Sequence, residues 1–156
     1  MFSSINFKKL LKCIALPVAV GVLSALLTKG NMEVYKNINQ PPLAPPSWLF
    51  PVVWSVLFIL MGISAYIISQ SDAPDKSMAL TVYGIQLAVN FFWSIIFFNM
   101  QAYTFAFVWL MFLWVLIILM IYRFSKINKI AAYLQIPYLI WVTFAAYLNL
   151  AIAILN

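Results

Sequence analysis

Five apolar stretches, each close to 20 residues or longer, constrain the fold of this chain more than any other feature. They cover about residues 10–28, 50–70, 78–100, 103–122 and 130–155. A helix that crosses the roughly 30 Å hydrocarbon core of a bilayer needs about 20 apolar residues, and within lipid it satisfies its own backbone hydrogen bonds. The pattern predicts an all-α membrane protein: a single domain, residues 1–156, folded as a five-transmembrane-helix bundle in a lipid bilayer.

The composition agrees with burial in lipid and removes several classes of catalytic site. Hydrophobic residues make up 66% of the chain and charged residues 8%, against about 25% charged in a typical soluble domain. The chain contains no histidine, the commonest metal ligand and general base. Its carboxylate side chains, Glu33, Asp72 and Asp75, lie between the apolar stretches. A catalytic triad with histidine is therefore excluded, a catalytic pair of carboxylates within the spans is excluded as well, and we expect no metal site.

The positive charges lie at the ends of the apolar stretches and predict the orientation in the membrane. Lysine and arginine favour the cytoplasmic ends of spans. With the N-terminus inside, the outer segments carry only Lys29 and Lys36, and the inner segments carry the other basic residues. Those seven are Lys8, Lys9, Lys12, Lys76, Arg123, Lys126 and Lys129. The count predicts a cytoplasmic N-terminus and an outer C-terminus, and charges placed at helix ends argue against binding to nucleic acid.

A proline-rich segment, residues 40–54, joins the first two predicted spans. It holds five of the eight prolines and two of the six tryptophans. Proline fixes φ and has no backbone donor, so this cluster is not the interior of a helix or a central strand. The orientation above puts the loop outside the membrane, where we expect it to act as a lid or a wall.

Three predicted spans each carry one face that combines aromatic residues with small or polar ones. The faces follow helical spacing and consist of Trp54, Phe58, Met61 and Ala65 on the second span, Gln86, Asn90, Trp93 and Phe97 on the third, and Tyr138, Trp141, Ala145 and Asn149 on the fifth. Either they form a dense core, or they enclose a flat aromatic ligand, since aromatic contacts add about 0.5–1.5 kcal/mol each beyond area burial. The Asn90 amide has two matching interpretations: a hydrogen bond between helices, or a group that points into a ligand cavity.

Other residues of the spans concern contacts between helices. Gly21-x-x-x-Ala25 and Gly84-x-x-x-Ala88 are typical of helices that approach closely, and they suggest a homodimer. Few polar residues lie near Trp109 and Trp114 on the fourth span. We expect these two tryptophans to contact lipid or another subunit.

The sequence resembles the TspO/MBR family in three motifs that follow one another along nearly the whole chain. This family comprises tryptophan-rich sensory proteins and translocator proteins, including the peripheral benzodiazepine receptor. The motifs are PPLAPPSW at 41–48 leading to PVVW at 51–54 and Met61-Gly62, YGIQLAVNFFW at 83–93 with IFF at 96–98, and PYLIWVTFA at 137–145 with Leu148-Asn149. The resemblance implies a five-helix bundle, often dimeric, with a pocket that the first loop closes.

The resemblance also implies a class of ligand and a set of lining residues. Family members bind porphyrins such as protoporphyrin IX, isoquinoline carboxamides and benzodiazepines, and none of these is a required cofactor. Carried over by motif, the pocket is lined by Tyr35, Pro42, Trp54, Phe58, Asn90, Trp93, Trp141, Ala145 and Leu148. Leu43 stands where many members have a loop tryptophan. The absence of the basic C-terminal motif of animal members favours a protein of the bacterial plasma membrane.

Three functions are consistent with this resemblance. The first is a receptor-like sensor that binds tetrapyrroles by stacking and burial, since there is no histidine to ligate a metalloporphyrin. The second is an enzyme for light- and oxygen-dependent degradation of protoporphyrin IX, with Trp54 and Trp141 as the catalytic residues that supply electrons. The third is a porphyrin transporter, which the odd number of spans and the lack of an internal repeat make less favourable.

Overall fold

The computed structural model describes residues 4–156, and most of these residues lie in helices. Five helical segments are long and apolar enough to cross a membrane, which confirms the predicted all-α bundle of five spans. The helices are α1 Phe7–Thr28, α2 Met32–Asn37, α3 Leu49–Ser69, α4 Lys76–Ser94, α5 Tyr103–Ser125, α6 Lys129–Leu134 and α7 Ile136–Leu155. Helix α2 is short and lies in the first loop, residues 29–48 between α1 and α3, where a 3₁₀ turn at Lys29–Asn31 joins it to α1.

Two breaks interrupt regular helix within the spans. Helix α4 continues into a π turn, Ile95–Asn99, which completes the third span. The fifth span, expected as one segment at 130–155, consists of α6 and α7 with Gln135 between them. Pro137 lies in the first turn of α7, where its missing N–H breaks no helical hydrogen bond. The proline therefore starts a helix here instead of kinking one.

Helix α5 packs against both α4 and α7, and two tryptophans bind it to these neighbours. The indole N–H of Trp109 donates to the carbonyl oxygen of Val89 at 2.8 Å. The indole N–H of Trp114 donates to the hydroxyl of Thr143 at 2.9 Å. The expectation that lipid or subunit contact alone explains these tryptophans is therefore wrong, because each donor is satisfied by a neighbouring helix.

Helix α1 is the most exposed span, and its main partner is α3. The two backbones touch at Gly62 of α3. A methyl group at Gly62 would lie 2.8 Å from the carbonyl oxygen of Cys13 and would overlap the Cα atom of Ile14. Only glycine leaves room for this approach, so one position without a side chain sets the distance between α1 and α3.

The proline-rich loop is fastened to the C-terminal end of α7. The backbone N–H of Asn39 donates to the side-chain oxygen of Asn156 at 3.1 Å, and the Asn156 amide donates back to the Asn39 carbonyl at 3.0 Å. The Tyr147 hydroxyl donates to the carbonyl of Pro42 at 2.8 Å. At the tip, Leu43 has a positive φ of 71°, a conformation that non-glycine residues adopt rarely. These bonds hold the loop over one end of the bundle.

The small residues of α4 do not make the close approach within the chain that their spacing suggested. Gly84 and Ala88 are exposed, and a methyl group at Gly84 would meet no atom within 4 Å. The homodimer stays a prediction.

We predict that Gly62→Ala destabilises the bundle, whereas Gly84→Ala does not. Alanine favours a helix over glycine by about 1 kcal/mol at both positions, but at Gly62 the new methyl group overlaps α1, and such overpacking typically costs about 1–3 kcal/mol. Unfolding of the purified protein in detergent, followed by circular dichroism, measures the difference. Equal stability of the two variants would contradict the backbone contact between α1 and α3.

Candidate functional site

A cavity of about 450 Å³ lies at the end of the bundle that the first loop covers. Its size falls within the range of roughly 300–1,000 Å³ typical of small-molecule sites. Its walls come from α1, α2, α3, α4, the π turn and α7, and none of the described lining residues belongs to α5. Most lining side chains are apolar or aromatic. The cavity is therefore suited to a hydrophobic ligand.

Eight of the nine residues that the sequence assigned to the pocket line this cavity. They are Tyr35, Trp54, Phe58, Asn90, Trp93, Trp141, Ala145 and Leu148. Pro42 lies apart from them: it is exposed, and its carbonyl accepts the hydrogen bond from Tyr147. The structure brings the eight together in space, and their binding of a ligand stays a prediction.

Aromatic rings of the lining pack in stacked pairs. The rings of Trp54 and Phe58 stack with centroids 5.5 Å apart and an angle of 27° between their planes. The rings of Trp93 and Phe97 stack in the same way at 5.2 Å and 29°. A stacked aromatic pair on α3 and another on α4 with its π turn thus both belong to the lining.

The Asn90 amide both joins two helices and lines the cavity. Its N–H donates to the Tyr138 hydroxyl at 2.7 Å, and that hydroxyl donates to the side-chain oxygen of Gln86 at 2.7 Å. All three side chains are buried. The bond to α7 fixes the orientation of the amide and leaves its oxygen for the cavity. The two interpretations of Asn90 in the sequence are therefore compatible.

Two donors of the lining have no partner among the described residues. The indole N–H of Trp141 and the hydroxyl of Tyr35 are both buried and unpaired. Burial raises the pKa of the Tyr35 phenol above its ordinary value, so the group keeps its proton at physiological pH. The indole N–H of Trp93, by contrast, already donates to Asn149 at 3.1 Å. Neither donor atom has surface open to the cavity, so these two side chains contribute their rings to the lining and not a hydrogen-bond donor.

Among the described lining residues, Lys29 is the one with a charged side chain. It begins the turn that follows α1. Its side chain is exposed. No described lining residue is an aspartate or glutamate. The cavity thus combines an apolar interior with a cation near one end.

Sequence reasoning missed one wall and two aromatic residues. Helix α1 lines the cavity through residues such as Val18, Gly21 and Ala25; the spacing of its small residues was interpreted only as a contact between helices, because this span has no aromatic face. Phe98 lines the cavity beside Phe97 because the π turn shifts the helical register there. Phe50, next to the proline at the start of α3, completes the set, and its position in the loop-to-helix motif was the available signal.

We predict that Tyr138→Phe lowers the free energy of unfolding by about 1–3 kcal/mol, because it leaves the Asn90 donor and the Gln86 acceptor buried without partners. Tyr83→Phe is the matched control: its hydroxyl is also buried but has no partner among the described residues, so its removal should change stability little. Unfolding in detergent measures both variants. A similar loss in both would show that the hydroxyl chain contributes nothing specific.

Several known proteins are similar to this chain in sequence. A model of the TspO/MBR family matches residues 13–155. The chain is 38% identical to the tryptophan-rich protein TspO of Chlorobaculum tepidum over 92% of this chain and 93% of that protein. It is 35% identical to the tryptophan-rich protein TspO of Archaeoglobus fulgidus over 97% and 99%. It is also 30% identical to the translocator protein of Bos taurus over 86% and 82%. Because the family model covers nearly the whole chain, the protein belongs to the TspO/MBR family.

Proposed function

We propose that this protein is an integral membrane receptor-like sensor that binds protoporphyrin IX, and that the same cavity accepts isoquinoline carboxamide and benzodiazepine-type ligands. The observation that carries the proposal is the enclosure of one apolar cavity by stacked aromatic pairs on separate helices. Such a site favours a flat, largely apolar ring system, because each aromatic contact contributes beyond the area that it buries.

The polar groups of the lining narrow the choice among flat ligands. A tetrapyrrole acid has an apolar ring and anionic propionate groups at one edge. The ring matches the apolar interior, and the propionates match the ammonium group of Lys29 near one end. The chain has no histidine, so binding relies on stacking and burial and not on histidine ligation of a metal.

Replacing the two indoles that α3 and α7 contribute to the lining tests the proposed site. Trp54→Phe and Trp141→Phe should each weaken protoporphyrin IX binding by about two- to tenfold, which corresponds to about 0.5–1.5 kcal/mol of lost aromatic contact. Titration of the reconstituted protein, followed by quenching of tryptophan fluorescence, gives the dissociation constants.

The matched control for these two variants is Trp114→Phe. Trp114 lies on α5, outside the cavity, so its replacement should leave the affinity unchanged. Wild-type affinity in both Trp54→Phe and Trp141→Phe would count against the assigned cavity.

A second substitution tests the anionic edge of the ligand. Lys29→Gln should weaken binding of protoporphyrin IX by up to about fivefold, as expected for a solvent-exposed ion pair, and the loss should shrink at high salt. Binding of the dimethyl ester, which has no carboxylate, should be the same in the variant and the wild type. An equal loss of affinity for the acid and for the ester would show that Lys29 contributes through packing and not through its charge.

Degradation and transport of porphyrin remain alternative proposals, because fewer observations support them. Oxidative degradation of protoporphyrin IX would use Trp54 and Trp141, and both indoles line the cavity, but no feature of the described lining is specific to turnover. Transport of porphyrin, the homodimer and the cytoplasmic N-terminus in a bacterial plasma membrane likewise stay predictions.

A further inference from the structure

The exposed residues of the cavity lining are confined to one side of the bundle. The lining residues of α4, the π turn and α7 are buried or half-buried. Every exposed lining residue that the structure describes lies on α1, on the turn after it, or on α3. These residues are Val22, Ala25 and Lys29 on one edge and Pro51, Ser55 and Ile59 on the other. The cavity therefore opens between α1 and α3.

The depth of this opening places it against the lipid tails. Ile59 is 42% exposed, and it lies ten residues after the start of α3 at Leu49. Ten residues of helix rise about 15 Å, which is half of the roughly 30 Å hydrocarbon core. An opening that reaches this depth on the outer surface of a bundle faces acyl chains over part of its height.

Glycines close the gap between α1 and α3 below the opening. At Gly62 the backbones of the two helices touch. One level higher, Gly21 lies against the ring of Phe58, whose Cε2 atom would be 2.5 Å from a methyl group at that position. Nearer the first loop the exposed lining residues Val22, Ala25 and Ser55 flank the cavity, so the contact of Gly21 with Phe58 marks the lower edge of the opening.

The other conceivable entrance, through the first loop, is held shut by hydrogen bonds. Asn156 binds Asn39 through two bonds, and Tyr147 binds the Pro42 carbonyl. Entry there would require these bonds to break. A flat apolar molecule is concentrated in the bilayer by the hydrophobic effect and meets the side opening directly.

We propose that the cavity takes up its ligand sideways from the lipid bilayer, through a portal between α1 and α3 whose edges are Val22 and Ala25 on one helix and Ser55 and Ile59 on the other. The proposal rests on the proposed function, because it concerns how the flat hydrophobic ligand of that cavity arrives. A flat ligand dissolved in lipid would enter the portal edge-on. Lys29 lies near the end of the portal at the first loop, where its ammonium group would meet an anionic edge of the ligand.

The test narrows the portal by substitution and measures the rates at which the ligand associates and dissociates. Ala25→Phe and Ser55→Phe each add a ring to one edge. In liposomes, both should slow association and dissociation of protoporphyrin IX by a similar factor of about tenfold while the dissociation constant changes little, because an obstacle in the path raises the barrier in both directions. Stopped-flow quenching of tryptophan fluorescence gives the two rates.

Two controls separate a block at the portal from a general effect of the added ring and from entry through the first loop. Leu26→Phe adds the same ring beside Ala25, at a residue that is 62% exposed and outside the cavity lining, and should leave both rates unchanged. Asn156→Ala loosens the first loop and should also leave them unchanged. Faster association in Asn156→Ala, or wild-type rates in both portal variants, would overturn the portal.

The equilibrium data keep this inference distinct from the proposed function. A higher dissociation constant that arises from faster dissociation alone would make Ala25 and Ser55 part of the binding wall, and would overturn the portal. Normal binding with unaltered rates in the portal variants would overturn the portal and leave the proposed function intact. An absence of saturable protoporphyrin IX binding by the wild-type protein would overturn both.

Discussion

The structure depends on one constraint: backbone polar groups within lipid must be bonded inside the protein. Nearly all of the described chain meets this constraint with helices, and irregular backbone is limited to a few places. The first loop lies at one end of the bundle, and the break at Gln135 lies near the other. The π turn at Ile95–Asn99 retains its own hydrogen bonds, such as that from the Met100 N–H to the Ile95 carbonyl at 3.0 Å. Each irregularity occurs where the backbone has partners.

The cavity follows from unequal spacing within this bundle. Gly62 lets the backbones of α1 and α3 touch, and Gly21 accommodates the ring of Phe58, whereas nearer the first loop Trp54 lines the cavity. On the far side, polar contacts fix the wall: Asn90 to Tyr138, and Trp93 to Asn149. Side-chain hydrogen bonds thus join α4 to α7, whereas α1 is the most exposed of the spans. The proposed portal lies on the side of this exposed helix.

The sequence predicted the parts of the site that regular helices carry. The aromatic faces of the second, third and fifth spans and the lining residue Asn90 were identified from helical spacing and from family motifs. It could not predict Phe98, because the π turn shifts the register of the helix. It placed Pro42 in the lining, whereas the bond from Tyr147 holds that segment outside. The contribution of α1 to the lining was not predicted, because this span has no aromatic face and its small residues, Gly21 and Ala25, indicated only a contact between helices.

By itself, the sequence determined the class of the protein: length, apolar periodicity and the scarcity of charge allow five helices in a membrane, and the motifs give the family. Only the tertiary structure decided where space remains between those helices. Whether an aromatic residue fills a core or lines a cavity depends on the distance between backbones. That distance is set by pairs far apart in the chain, such as Gly62 with Ile14. Helical periodicity is a local property and has no information about such pairs, so the cavity and its opening appear only in the folded bundle.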